Sequence, residues 1–200
     1  MTDGPFLWYL NRSTGLVLLV LLTISTVLGV LAMNGRAGRG VPRFVTQSLH
    51  RNLALLSVVL LVVHVASAVA DTFVDIRWWQ AVVPVGATYM PLWLGLGTLS
   101  LDLMAVVVLT SLLRSHLSLR AWHAVHLLSW LAWGVAVVHG LGIGTDLGTD
   151  PATLLAPDHR WAALPTLACV GAVLVAGLVR LGRTGRPAPA SEPLAERSLP

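Results

Sequence analysis

Residues 48–70 read SLHRNLALLSVVLLVVHVASAVA, and residues 119–141 read LRAWHAVHLLSWLAWGVAVVHGL. Each run is long and apolar enough to cross a bilayer as a helix, which takes roughly 20 residues. Each also carries a pair of histidines: His50 and His64, fourteen residues apart, then His126 and His139, thirteen apart. Imidazole in hydrocarbon is costly without a partner, so histidines in such runs are candidate functional residues. Two pairs at nearly equal spacing, on two segments, predict two metal centres stacked along the membrane normal. Each centre would take one histidine from each segment, and haem iron with two axial histidines is the natural occupant.

The rest of the chain agrees with a membrane setting. It has 200 residues, 56% hydrophobic and 11% charged, with a mean hydropathy of +0.77. A soluble domain carries about 25% charged residues. The formal net charge is +4, and all 13 basic residues are arginines. They sit in short caps between apolar runs, which reads as membrane topology rather than a nucleic-acid surface. One cysteine, Cys169, excludes a disulfide framework or thiolate metal site within one chain. There is no C-x-x-C-H motif, so any haem would be held non-covalently, as in b-type centres.

Five segments have spanning length: Ser13 to Met33, Ser48 to Ala70, Pro91 to Leu113, Leu119 to Leu141 and Trp161 to Leu181. The expected fold is therefore all-α, an integral membrane bundle of five transmembrane helices in the cytoplasmic membrane. Val30-Leu31-Ala32 resembles a signal-peptide cleavage site, but the apolar run is long and its positive charges follow it, so the segment reads as a retained span. Arginines 36, 39, 43, 51, 114, 120, 180, 183 and 186 fall on one side, and Asp71, Asp75, Asp146, Asp150 and Asp158 on the other. The positive-inside rule then places the N-terminus out and the C-terminus in. Trp78, Trp79, Trp93 and Trp161 fall at the outer boundary, where indole rings favour the headgroup level. Residues 1–12 read as an extracytoplasmic segment and 182–200 as a disordered cytoplasmic tail.

In this topology the second and fourth segments both run from inside to outside. His50 lies level with His126 near the inner face, and His64 with His139 toward the outer face. The two levels are about 20 Å apart at 1.5 Å rise per residue. Fourteen residues fall about 40° short of four helical turns, so His50 and His64 share a face. That stripe continues through Ala54, Ser57, Leu61 and Ala68, whose small members leave room for a flat macrocycle. Thirteen residues miss a whole number of turns by about 140°, so the fourth helix must bend, overwind or bulge to point both histidines one way. His123 competes with His126 for the inner level with a poorer depth match, and His116 and His159 fall in connections.

These residues resemble the ferric reductase-like transmembrane domain, shared by ferric reductases, NADPH oxidases and the haem-binding membrane subunit of periplasmic methionine sulfoxide reductase. The likeness covers residues 7–181 and is closest to short actinobacterial-type members. It rests on His50-Arg51 with His64, Thr110-Ser111-Leu112-Leu113-Arg114, Arg120-Ala121-Trp122, His126, His139 and Gly144-Thr145-Asp146. The stretch Pro84 through Tyr89, Pro91, Leu92, Trp93 and Gly97 adds to it. The resemblance implies a haem-binding domain over residues 13–181, with two b haems carrying electrons to an extracytoplasmic acceptor such as a ferric chelate, oxygen or a partner reductase. Many members carry a sixth helix and continue into flavin and nicotinamide domains. This chain runs nineteen residues past Leu181, without a G-x-G-x-x-G context. The expectation is an oxidoreductase component with no flavin or nicotinamide site, fed by a separate cytoplasmic donor or by quinol. A quinol-oxidising cytochrome b subunit and a non-redox haem or metal carrier or sensor stand as alternatives.

Haem propionates favour arginine. Arg51, Arg43 and Arg120 are candidates at the inner level, and Arg12 and Arg77 at the outer. Each also has an ordinary role as a topology or headgroup contact. Trp122, Trp130 and Trp133 are candidates to flank the macrocycle or simply to pack. Asp102, mid-span in the third segment, would orient a ligand histidine, relay protons or rest as a neutral acid.

Overall fold

The computed structural model describes residues 6–33, 42–144 and 156–184. All regular structure among them is helical: α1 (Phe6–Met33), α2 (Arg43–Ala70), α3 (Pro91–Leu112), α4 (Leu119–His126), α5 (Leu128–Ile143) and α6 (Arg160–Thr184). Five stretches are long and apolar enough to cross a membrane, with α4 and α5 together making one of them. This agrees with the all-helical, five-span expectation.

Three boundaries differ from the sequence reading. The second helix begins at Arg43, not Ser48. The first helix begins at Phe6, not Ser13, so residues 6–12 are part of the span. Asn11 and Arg12 interrupt the apolar run but find partners inside the helix pair. Asn11 Nδ2 donates to the His64 carbonyl at 2.8 Å, and the Arg12 guanidinium stacks 4.3 Å from the Trp8 ring centroid. At the other end α6 continues to Thr184. The expected tail beyond it, and Thr145 and Asp146, lie outside the described residues.

The anticipated distortion of the fourth segment is a break at Leu127. Leu127 N–H is shared between the carbonyls of His123 and Val125. Trp130 N–H then bonds Leu127 O at 3.1 Å, a tight three-residue closure. No proline is involved. After the break, α5 buries Ala132, Trp133 and Val137, while before it His126 meets the His50 ring.

The helices form two closely packed halves. α1 packs most extensively on α2, and α3 on α5. α1 also joins α6 and, less extensively, α5, whereas α2 has no comparable contact with α3 or α5. The core behind the cleft is Trp133 and Val137 of α5 against Cys169 and Val173 of α6, with Leu19, Leu22 and Val27 of α1 packed onto it. Trp133 Nε1–H donates to Thr23 Oγ1 at 2.8 Å across this core. The 71–90 connection is plugged into α3 by Gln80, only 1% exposed. Its carbonyl accepts from Thr98 Oγ1 at 2.7 Å, and its side chain bonds the Arg77 N–H and the Thr88 hydroxyl.

Trp133→Phe removes the indole N–H and part of the ring from this core, and so tests the join between the halves. It should destabilise the protein by about 1–3 kcal/mol, measured by unfolding in mixed micelles, because Thr23 loses its buried donor and the smaller ring leaves a gap.

Candidate metal centre

A histidine inside a helical bundle needs its ring nitrogens satisfied, and the neighbouring helices supply acceptors in a repeated way. His64 Nδ1–H donates to the Asn11 carbonyl at 3.0 Å, and His50 Nδ1–H to the Ser25 carbonyl at 2.9 Å. His139 Nδ1–H donates to the Trp93 carbonyl at 2.7 Å. Because a carbonyl only accepts, each of these Nδ1 atoms carries the proton.

In all three cases the acceptor lies one turn before a glycine that the ring covers. A Cβ on Gly15 would lie 3.1 Å from His64 Cε1, one on Gly29 3.6 Å from His50 Cε1, and one on Gly97 2.5 Å from His139 Cε1. A side chain in a helix leans over the preceding turn, so glycine leaves that turn's carbonyl open to a neighbour. Gly15 and Gly29 are fourteen residues apart on α1, as His50 and His64 are on α2. The fourth histidine varies the theme. Ser111, fourteen residues after Gly97, places its hydroxyl 3.5 Å from His126 Nδ1. That hydroxyl donates to the Val107 carbonyl at 2.7 Å, the carbonyl one turn back.

With Nδ1 engaged, Nε2 is the nitrogen left for a ligand. Among the described residues no hydrogen bond is made at any of the four Nε2 atoms. The His50 and His126 ring centroids are 6.2 Å apart at an interplanar angle of 67°. His64 and His139 line one cavity of about 300 Å³, with Asn11, Arg12, Leu61, Ala68, Gly97 and Tyr89 among its walls. A wholly apolar groove of about 570 Å³ between α2 and α3 shares Leu61, Val65, Leu101 and Met104 with it. Among the described residues no group of three or more His, Cys, Asp or Glu side chains gathers as a metal site.

The other sequence candidates fall as follows. Arg12 lines the histidine cavity. Arg51 and Arg120 are exposed and make no hydrogen bond with the four histidines, and the Arg43 side chain lies outside the described residues. Arg77 stands in an exposed ion pair with Asp75 at 3.8 Å, which takes it away from the cavity as a propionate partner. His126, not His123, faces His50, and His123 and His116 are exposed. His159, expected to be solvated, is half-buried, with Nδ1 enclosed and without a hydrogen bond among the described residues. Trp133 belongs to the core and Trp130 packs over Gly177, whereas Trp122 stacks on His126. Asp102 does not orient a ligand histidine, since each Nδ1 has another partner; it sits beside exposed Leu99, Val106 and Leu109.

Sequence reasoning missed Asn11, Gln80, Gly15 and Gly29, and took Gly97 only as part of the family likeness. The matched spacing of Gly15 and Gly29 was the available signal. No protein-family model and no curated protein matches the chain.

The glycine contacts differ enough to separate packing from propensity. Gly97→Ala should cost about 1–3 kcal/mol in detergent unfolding, because His139 must leave the Trp93 carbonyl. Gly134, with nothing within 4 Å of an added Cβ, should tolerate alanine and gain up to about 1 kcal/mol from helix propensity.

Proposed function

We propose that the chain is a di-haem, b-type membrane cytochrome of the ferric reductase-like kind. It would carry electrons across the cytoplasmic membrane to an outer acceptor, a ferric chelate or a partner reductase, from a separate donor. What supports this is the set of four histidines on two spans, three of them with Nδ1 bonded to a backbone carbonyl, with His50 and His126 in ring contact and His64 and His139 lining one cavity.

The residues fit the group. An imidazole–metal bond is about 2 Å long, so one metal held between two rings puts their centroids about 6 Å apart; His50 and His126 are at 6.2 Å. One histidine from each segment at each level would supply two axial ligands, which suits a metal whose equatorial ligands come from a macrocycle. A structural zinc site would need four ligands from protein. The cavity between α2 and the α3–α5 half, lined by His64 and His139, is where such a flat group would lie at that level. Bound haem supplies reversible one-electron chemistry between ferric and ferrous iron.

The chain's own residues bind, orient and shield. His50 with His126, and His64 with His139, hold the two levels. The Asn11, Ser25 and Trp93 carbonyls fix ring orientation and raise ligand basicity. Arg12, beside the His64 level, is the arginine placed to meet a propionate. The aliphatic walls exclude water and lower the local dielectric. The arginine distribution favours N-terminus out and C-terminus in, with the His50 level on the cytoplasmic side.

Purified after expression with ample haem, the protein should show a Soret band, an α band on dithionite reduction, and two haems per chain. His64→Ala should lose one centre and leave the other low-spin. A colourless protein sinks the proposal. For orientation, a C-terminal alkaline phosphatase fusion should be inactive and a C-terminal fluorescent-protein fusion bright; the reverse pattern overturns the topology.

A further inference from the structure

Three of the four histidines are fixed by a short bond to a backbone carbonyl and lie over a glycine. His126 has neither. Its Nδ1 meets only the Ser111 hydroxyl, at 3.5 Å, the outer limit for a hydrogen bond. It is also the last residue of α4, directly before the break at Leu127. By the rules that hold the other three, it should be the loosest.

Another contact takes up the work. The Trp122 ring stacks on the His126 ring at 4.9 Å between centroids and 27° between planes. The two residues are one turn apart on α4, the spacing at which helix side chains meet. The Arg114 guanidinium also lies over the Trp122 ring, 4.8 Å from its centroid, a distance suited to a cation–π contact. The start of α4 is fixed independently, by Ser118 accepting from Ala121 N–H at 3.2 Å, so the indole is presented from an anchored turn. Trp122 Nε1 is buried without a hydrogen-bond partner among the described residues. The ring is therefore held by its faces, not by its N–H.

We propose that Trp122, capped by Arg114, is the positioning residue for His126: ring stacking does there what the helix carbonyls do for His50, His64 and His139. This rests on the di-haem reading, and it makes the His50–His126 level the one whose ligand is held by a removable side chain.

The test uses the haem-loaded, full-length protein and carbon monoxide, which binds ferrous haem only where an axial position is free. Wild type should stay low-spin and unreactive when reduced. Trp122→Leu should keep its haem, turn one haem in two high-spin, and bind carbon monoxide at that one. Trp122→Phe keeps an aromatic face without the N–H and should restore the wild-type spectrum. Arg114→Gln should give partial carbon monoxide reactivity. If Trp122→Leu remains low-spin and unreactive, the proposal fails. It fails equally if Trp122→Phe reacts as fully as the leucine variant, because an aromatic face would then not hold the ligand. Carbon monoxide reactivity in Ser111→Ala but not in Trp122→Leu would assign positioning to the hydroxyl. Should Trp122→Leu not accumulate, the phenylalanine and Arg114 variants decide by the same spectra. Wild type lacking haem altogether would instead overturn the di-haem reading itself.

Discussion

A polar ring in hydrocarbon must be hydrogen-bonded, and in this protein helix backbones meet that demand. A helical carbonyl is normally saturated by its own ladder and shielded by the side chain one turn on. Glycine at that position removes the shield, and the carbonyl's second lone pair takes the imidazole N–H. The contact fixes the tautomer, sets the ring plane and draws two helices together. Asn11 and His64 do this reciprocally: the asparagine carbonyl accepts from the ring, and the asparagine amide donates to the histidine carbonyl. Much of the α1–α2 pairing follows from these few bonds.

The same constraint explains how much of the architecture was legible in the chain. Length and hydropathy of single segments are local properties, so the five spans could be read directly. Equal histidine spacings translate into depth, so the approach of His50 to His126 could be anticipated from two segments. The thirteen-residue spacing announced a distortion, and the break at Leu127 is it, though its position depends on which face of α5 must be buried. What a spacing within one segment does not encode is the partner on another helix. Asn11 looked like the end of an apolar run because its partner, His64, becomes a neighbour only once α1 packs on α2, and Arg12 because Trp8 lies under it only once α1 is helical there. Gln80 looked like an ordinary loop residue because its partners are spread over two elements.

The four histidine environments are not equivalent, and the difference follows the helix break. Where α2 and α5 run regularly, rings can be set over glycines and reach carbonyls. Where the segment changes course at Leu127, His126 is left opposite a serine, and an aromatic stack on its own helix substitutes. Strong backbone contacts and a weaker side-chain contact thus coexist along one cleft, with the weaker one at its arginine-bearing end.

The packing also divides the histidines mechanically. His50 and His64 belong to the α1–α2 half, and His126 and His139 to the α3–α5 half. The halves are joined where α1 meets α5 and α6, around the bond from Trp133 to Thr23. That join lies at the common base of both histidine pairs, like the pivot of a pair of tongs. A repacking there would shift His50 against His126 without touching either ring.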